Sequence, residues 1–429
     1  MMPDPTPQQK AARHFERLDA ATEPETRREA LSSLKELTSA EALHVNSSVI
    51  ATVLGAMSAE DEEATRDALD VLVNLVDPKL PTGDADTARA KSEYNVDAFL
   101  EAAEPVSAVL GVLEQQDMFV RYNATQLMLC VLGAERGRVQ GYLLTNPMGV
   151  AAATDLLSDG REVVRNDALL LLSELTSGSA EIQRIVAFQG AFDRLLDIIS
   201  EESEAGGSVI VDDALGLLAT LLRGNASNQR LFTESGCVER LSPLLGLSAE
   251  QSSSSQINAC RVVDALLDSA EHAGGSRGKL SEDSTARGSR TTVGKSGIVN
   301  ALASLALSPT TATDSALRQA AMSALANCIA AHEGNQRKVL DLSVQVTGSK
   351  SESAPSRLLS LALRASTRAA SEPPLFVLHA LLEKSPHAQL QLAATLAPVP
   401  TAISAGGGAE GVAHSQVGFA RTLALALVG

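Results

Sequence analysis

Residues 163–245 read VVRNDALLLLSELTSGSAEIQRIVAFQGAFDRLLDIISEESEAGGSVIVDDALGLLATLLRGNASNQRLFTESGCVERLSPLL. One phrase, Ala-x-x-x-Leu-x-x-Leu, occurs twice in this stretch, as Ala168/Leu172/Leu175 and Ala214/Leu218/Leu221. Residues four and seven apart fall on one face of a helix, and a small residue at the head of the phrase lets a neighbouring helix approach closely. Upstream the phrase recurs as Ala30/Leu34/Leu37, Ala68/Leu72/Leu75 and Ala124/Met128/Val131, and downstream as Ala259/Val263/Leu266 and Ala321/Leu325/Cys328. Successive copies lie 38, 56, 44, 46, 45 and 62 residues apart. Four of these steps cluster at the period of stacked helical repeats, and the two long ones imply insertions. The expectation is one elongated helical solenoid whose repeats bury their apolar stripes against one another, leaving an extended surface of the kind that binds macromolecules.

Composition narrows the function. Hydrophobic residues make up 45% of 429, charged residues 20%, aromatics 3%, and tryptophan is absent, so alanine and leucine must build the core. A net charge of −17 and a pI near 4.9 argue against a nucleic-acid partner, which needs a concentrated basic face, and against adhesion to anionic lipid. Cys130, Cys237, Cys260 and Cys328 lie far apart without a Cys-x-x-Cys pair and read as small hydrophobes in a reducing compartment. The start, MMPDPTPQQK, has no apolar signal core, and no uninterrupted apolar run is long enough to span a bilayer, so no direct membrane insertion is expected.

The pattern divides the chain into residues 1–25, partly helical; residues 26–345, the repeats; and residues 346–429, weaker helical repeats. Residues 79–95 are polar and account for the first long step, and residues 271–296, rich in Gly, Ser and charge, read as a mobile insertion. Helices are expected over residues 356–368, 375–384 and 417–428, the last ending on an apolar run that reads as a truncated end or the head of something longer.

Catalytic motifs are weak. Gly294-Lys295-Ser296 resembles the end of a phosphate-binding loop but has Ser289 where that loop needs glycine. The seven histidines have no second ligand at helical spacing, and no nucleophile–base arrangement stands out, so neither an enzyme, a metal site nor a cofactor is expected. Armadillo proteins that carry nuclear import cargo place Asn at the sixth residue after the leading alanine. Here those positions hold Glu36, Asn74, Cys130, Glu174, Thr220, Ala265 and Asn327, too few asparagines for a peptide ladder.

The stretch quoted above closely resembles the globular head of the general vesicular transport factor family, long tethers that link transport vesicles to Golgi membranes. The matching elements are Arg165-Asn166 with the leucine run after it, residues 182–188 (IQRIVAF), residues 191–199 (AFDRLLDII), Val211-Asp212-Asp213, and Asn225 to Phe232. Val120 to Ala124 and Tyr142-Leu143-Leu144 fit the same pattern, and Gly334-Asn335-Gln336 echoes Ser227-Asn228-Gln229.

The resemblance implies an all-α, armadillo-like helical-repeat solenoid wound as a right-handed superhelix. It also implies a noncatalytic, cytoplasmic head, peripheral on Golgi membrane and on ER–Golgi transport vesicles, that works in ER-to-Golgi and intra-Golgi traffic. Its implied partners are Rab-type small GTPases, SNARE proteins and golgins, with homodimerisation conditional on a coiled-coil tail beyond this chain. The candidate contact residues are Arg165, Asn166, Gln183, Arg184, Asp193, Arg194, Asn228 and Gln229. The competing reading is a generic armadillo-repeat adaptor or scaffold.

Overall fold

Alanine- and leucine-rich phrases punctuated by single glycines favour short helices, and the computed structural model is built almost wholly of them. It describes residues 5–79, 85–205, 208–246, 252–268, 284–347 and 350–396, so the helix expected over 417–428 lies outside the described residues. Two compact units emerge, Met1–Ala205 and Gly206–Gly429.

The first unit comprises α1 (Pro7–Asp19), α2 (Pro24–Ala40), α3 (Ser47–Gly55), α4 (Glu62–Val76), α5 (Ala85–Leu100), α6 (Pro105–Gly111), α7 (Met118–Thr145), α8 (Met148–Asp155), α9 (Glu162–Thr176), α10 (Ala180–Phe188) and α11 (Ala191–Ala205). The second comprises α12 (Ser208–Leu222), α13 (Ala226–Glu234), a 3-10 segment Glu239–Leu245, α14 (Ser253–Leu267), α15 (Ser284–Lys295), α16 (Ile298–Leu307), α17 (Ser315–Ile329), α18 (Glu333–Leu340), the hairpin β1 (Ser343–Thr347) and β2 (Lys350–Ser353), α19 (Ala354–Arg364), α20 (Arg368–Leu382) and α21 (Pro386–Leu396). The fold is all-α and armadillo-like.

The phrase-bearing helices stack directly on one another. In the first unit α2 packs on α4, α4 on α7 and α7 on α9; in the second, α12 packs on α14, α14 on α17 and α17 on α20. Every phrase residue is buried except Leu37, which is half-buried. In α20 the phrase appears once more as Pro374/Leu378/Leu381, all buried, with proline in the alanine's place. That substitution hid the eighth copy from the sequence pattern.

Two sets of polar bonds join the repeats. An arginine just before the leading alanine reaches the next repeat: Arg28 pairs with Asp61 at 3.0 Å, Arg66 with Asp117 at 2.5 Å, and Arg121 with Asp159 at 2.6 Å. At the other end, a side-chain amide on the following short helix donates to the last carbonyls of a phrase helix, which have no partner within their own helix. Gln183 Nε2 donates to Thr176 O, Asn228 Nδ2 to Leu221 O, Gln229 Nε2 to Leu222 O, Asn335 Nδ2 to Cys328 O and Gln389 Nε2 to Leu382 O. Each glutamine stands four residues after Ser179, Asn225 or Ser385, whose side chains bond the N-terminus of the same short helix.

Two stretches read as insertions are helical. Residues 85–100 form α5, where Lys91, Ser92 and Asn95 are buried because they serve the same carbonyls: Lys91 Nζ donates to Asn74 O at 3.0 Å, Ser92 Oγ to Val76 O, and Asn95 Nδ2 to Leu75 O at 2.8 Å. Polarity here means helix-end satisfaction, not solvent. Of the segment expected to be mobile, residues 271–283 lie outside the described residues, while Ser284–Lys295 is α15 with Ser289, Arg290 and Val293 buried. The hydropathy pattern missed it because its anchors are polar: Arg290 Nε donates to Asn327 O, and Ser289 meets Thr233 at 3.0 Å. The hairpin β1–β2 was not foreseen in the weaker C-terminal repeats.

Between a phrase helix and the next short helix, one residue takes a left-handed backbone. It is Gly178 (φ 75°), Gly224 (φ 64°), Ala331 (φ 50°) and Lys384 (φ 52°). Alanine is strained there, where glycine is not. Ala331→Gly removes only an exposed methyl and is expected to stabilise the second unit by about 1 kcal/mol, read as a rise in Tm in differential scanning calorimetry. An unchanged or lower Tm would show that the turn carries no strain.

Candidate partner-binding surface

Polar side chains on the faces of the stacked phrase helices are largely paired with each other. Lys35 Nζ lies 2.9 Å from Asp67 and 2.5 Å from Asp70. Asn123 Nδ2 donates to Asp70, and Gln126 Nε2 donates to Asp167 at 2.7 Å. Of the two asparagines at ladder positions, Asn74 donates to Thr38 Oγ1 at 3.2 Å and Asn327 to Asp264 Oδ1 at 2.9 Å. Both are spent on the preceding phrase helix.

The acids in these pairs are electrostatically tuned by their surroundings. Burial raises Asp167 above the usual carboxylate range, and outside these pairs burial and the like charge of Asp212 raise Asp213. Asp264 is pushed up to about 6, chiefly by burial, against the opposing hydrogen bonds from Asn327 and Ser323. A raised native pKa means the folded state holds the proton more tightly than the unfolded chain, so stability falls as pH rises from about 4 to 6 and then levels off. Asp264→Asn keeps an acceptor for Asn327 and removes the charge penalty. The variant is expected to be more stable by about 1–2 kcal/mol at pH 7.5, after discounting for residual solvent contact, and to lose that advantage near pH 4. Thermal melts at the two pH values check this; an advantage independent of pH would contradict it. Burial also raises the thiols, Cys130 to about 11 and Cys260 to about 12, which leaves them protonated and unreactive.

The eight candidate contact residues separate into three groups. Gln183, Asn228 and Gln229 are buried and cap helix ends, which corrects their reading as contact residues. Their polarity satisfies buried carbonyls rather than a partner. Arg165, Asn166 and Arg194 are half-buried. Arg165 pairs with Glu202, Arg194 donates to Thr154 O at 2.7 Å and pairs with Asp155 at 2.6 Å, and Asn166 Oδ1 is enclosed with no donor among the described residues. Arg184 and Asp193 are exposed, and Arg184 pairs with its helix neighbour Glu181.

What sequence reading missed is apolar. Met148 is 81% exposed, Phe188 83% and Leu144 44%. Leu144 ends α7, Met148 begins α8 and Phe188 ends α10, a helix that packs on both α7 and α8. Phe119, by comparison, lies under the Arg66 guanidinium, and Tyr94 meets His44 edge-on. The corner is held from beneath. The backbone of α7 breaks at Glu135 (φ −135°, ψ 52°), which turns residues 136–145 into a separate short helix, and Ser107 hydrogen-bonds the Tyr142 hydroxyl at 2.8 Å. Gly149 lets α8 rest on α6, since a Cβ there would lie 2.4 Å from Leu110 Cδ1. Exposed apolar side chains at the ends of packed helices offer anchoring points to a protein partner. Their signal in the sequence was a hydrophobe at a position where its helix needs none.

Among the described residues no group of His, Cys, Asp or Glu is arranged to hold a metal ion, and no helix is long and apolar enough to cross a membrane. Gly294-Lys295-Ser296 closes α15 instead of opening a helix, with Gly294 O accepting from Lys338, so its amides do not form a phosphate cradle.

No family model matches the chain. Its relatives are nonetheless clear. The chain is 35% identical over 198 residues to the human general vesicular transport factor p115, covering 45% of this chain and 21% of that one. It is 35% identical over 206 residues to golgin candidate 6 of Arabidopsis thaliana, covering 46% and 22%. Over that stretch the chain is similar to the general vesicular transport factors. It is also 31% identical over 117 residues, 27% of this chain and 6% of that one, to the intracellular protein transport protein USO1 of Saccharomyces cerevisiae. A crystal structure of Uso1 superposes with a TM-score of 0.74 at 21% identity over 92% of this chain and 64% of that one, which shows the shared fold. The chain spans about a fifth of the length of the curated relatives it first matches.

Proposed function

We propose that this chain is a noncatalytic tethering head that docks transport vesicles to Golgi membranes in ER-to-Golgi and intra-Golgi traffic by binding membrane-associated proteins. The observation that carries the reading is the 35% identity over 198 residues to a general vesicular transport factor. Tethering needs binding energy and reach, and a core stitched by arginine pairs and amide caps supplies a stiff platform without a reactive centre. Partners of the Rab GTPase, SNARE and golgin classes fit that role, and the corner of Leu144, Met148 and Phe188, with exposed Arg184 and Asp193 on the neighbouring α10 and α11, is the surface they would meet. The chain then works in the cytoplasm, peripheral to Golgi and vesicle membranes. Biolayer interferometry of the purified chain against GTP- and GDP-loaded Rab-type GTPases, SNARE cytoplasmic domains and golgins tests this. Saturable binding to at least one is expected; no binding to any, with a tagged chain diffuse in cells, overturns it.

A further inference from the structure

The hairpin β1–β2 is a two-stranded sheet, and nothing among the described residues pairs with the outer edge of β1. Its register places Ser343 opposite Ser353, Val344 opposite Glu352 and Gln345 opposite Ser351. Ala354 N–H donates to Leu342 O at 3.0 Å, so the 342/354 pair is a bonded one. Bonded and non-bonded pairs alternate along an antiparallel ladder, which aims the backbone groups of Val344 at β2 and those of Ser343 and Gln345 outward. Ser343 and Gln345 are exposed, whereas Val344 and Val346 are half-buried.

That outward edge borders a groove of about 200 Å³ lined by Leu342 to Gln345 on one side and by Ala303, Ser304 and Ser308 on the other, with no residue of β2. Two arginines stand at the end of α16 beside it: Arg318 Nη2 donates to Ser308 O at 3.0 Å and Arg357 Nε to Leu307 O at 3.3 Å. Arg318 feels Arg357 as a like charge, and among the described residues neither forms an ion pair with a carboxylate. Glu352, on β2 opposite Val344, has Oε2 enclosed with no hydrogen-bond donor among the described residues, and Asp341 stands exposed just before β1. In a chain of net charge −17, a paired cationic site next to open strand edge is complementary to an anion-bearing backbone.

We propose that the free edge of β1 docks an extended acidic segment of a partner protein, which adds as a third strand through Ser343 and Gln345 and sets its carboxylates against Arg318 and Arg357. Main-chain bonds supply the alignment and the arginines the selectivity for acidic sequence. The site lies in the second unit and stands whether or not the chain tethers vesicles.

The test is fluorescence anisotropy with a labelled decapeptide alternating valine with aspartate or glutamate, and with its lysine counterpart, against the full chain. The acidic peptide is expected to bind at least tenfold more tightly than the lysine one, to weaken with salt, and to lose at least tenfold in affinity on Arg357→Gln and on Gln345→Pro. In the unaltered chain, amide exchange at Ser343 and Gln345 should slow when the acidic peptide is added, a reading that needs no variant to fold. Equal affinity for the two peptides, no binding of the acidic one, or unchanged exchange at those amides overturns the proposal.

Discussion

Gln229→Ala is expected to cost the second unit about 3 kcal/mol. Its Nε2 lies 3.0 Å from Leu222 O, 2.9 Å from Ala265 O and 2.6 Å from Asp268 O, so one buried amide serves the ends of two successive phrase helices. The side chain is 3% exposed, and water has no ready access to the carbonyls it would abandon. Each carbonyl left unsatisfied costs about 1–3 kcal/mol, and the cavity adds to that. Gln389 stands at the equivalent position, exposed, with one bond to Leu382 O. Gln389→Ala should therefore lose under about 1 kcal/mol. Denaturant titration compares them through the shift in midpoint at constant slope. Equal losses for the two variants would mean that the amide ladder is decoration.

The second large effect concerns binding. Met148→Asp combined with Phe188→Asp should abolish measurable association with the tethering partner, a loss of about 4 kcal/mol or roughly a thousandfold in Kd, if these side chains are the anchors of the interface. Both project almost entirely into solvent, so the folded chain gives up little: circular dichroism and Tm should match the unaltered chain. Gln126→Ala, which breaks a polar pair between α7 and α9, should leave affinity unchanged while lowering Tm slightly. Interferometry with the partner found for the unaltered chain reads both. Retained binding in the double variant would move the interface elsewhere, with the exposed α9 residues Val163 and Leu170 next in line.

The phrase helices were legible because their chemistry is uniform. Small at one position and leucine-like at four and seven means a buried stripe in any helical stack, and the structure buries nearly all of those residues. Legibility failed where polar atoms replace apolar ones in the core. Lys91, Asn95 and Arg290 look like surface residues by type, yet each donates to a carbonyl at a helix end, so their segments were read as insertions. Pro374 concealed a repeat for the same reason, a residue of unexpected type filling a familiar place. The candidate contacts erred in the opposite direction. Gln183, Asn228 and Gln229 recur in the family-like stretch because every repeat must cap its phrase helix, and a recurring polar residue cannot be told from a binding residue until its partners are seen. The exposed corner carried almost no pattern, since Met148 and Phe188 differ in type and belong to different repeats.

Partners are expected to meet the corner of α7, α8 and α10, not the face of the stacked phrase helices. Hydrogen-exchange mass spectrometry of the chain, free and bound to its tethering partner, tests this directly. Slowed exchange over residues 141–150 and 184–190, with residues 67–74, 123–130 and 167–174 unchanged, is the predicted result; protection confined to the phrase-helix segments, with the corner unchanged, would contradict it.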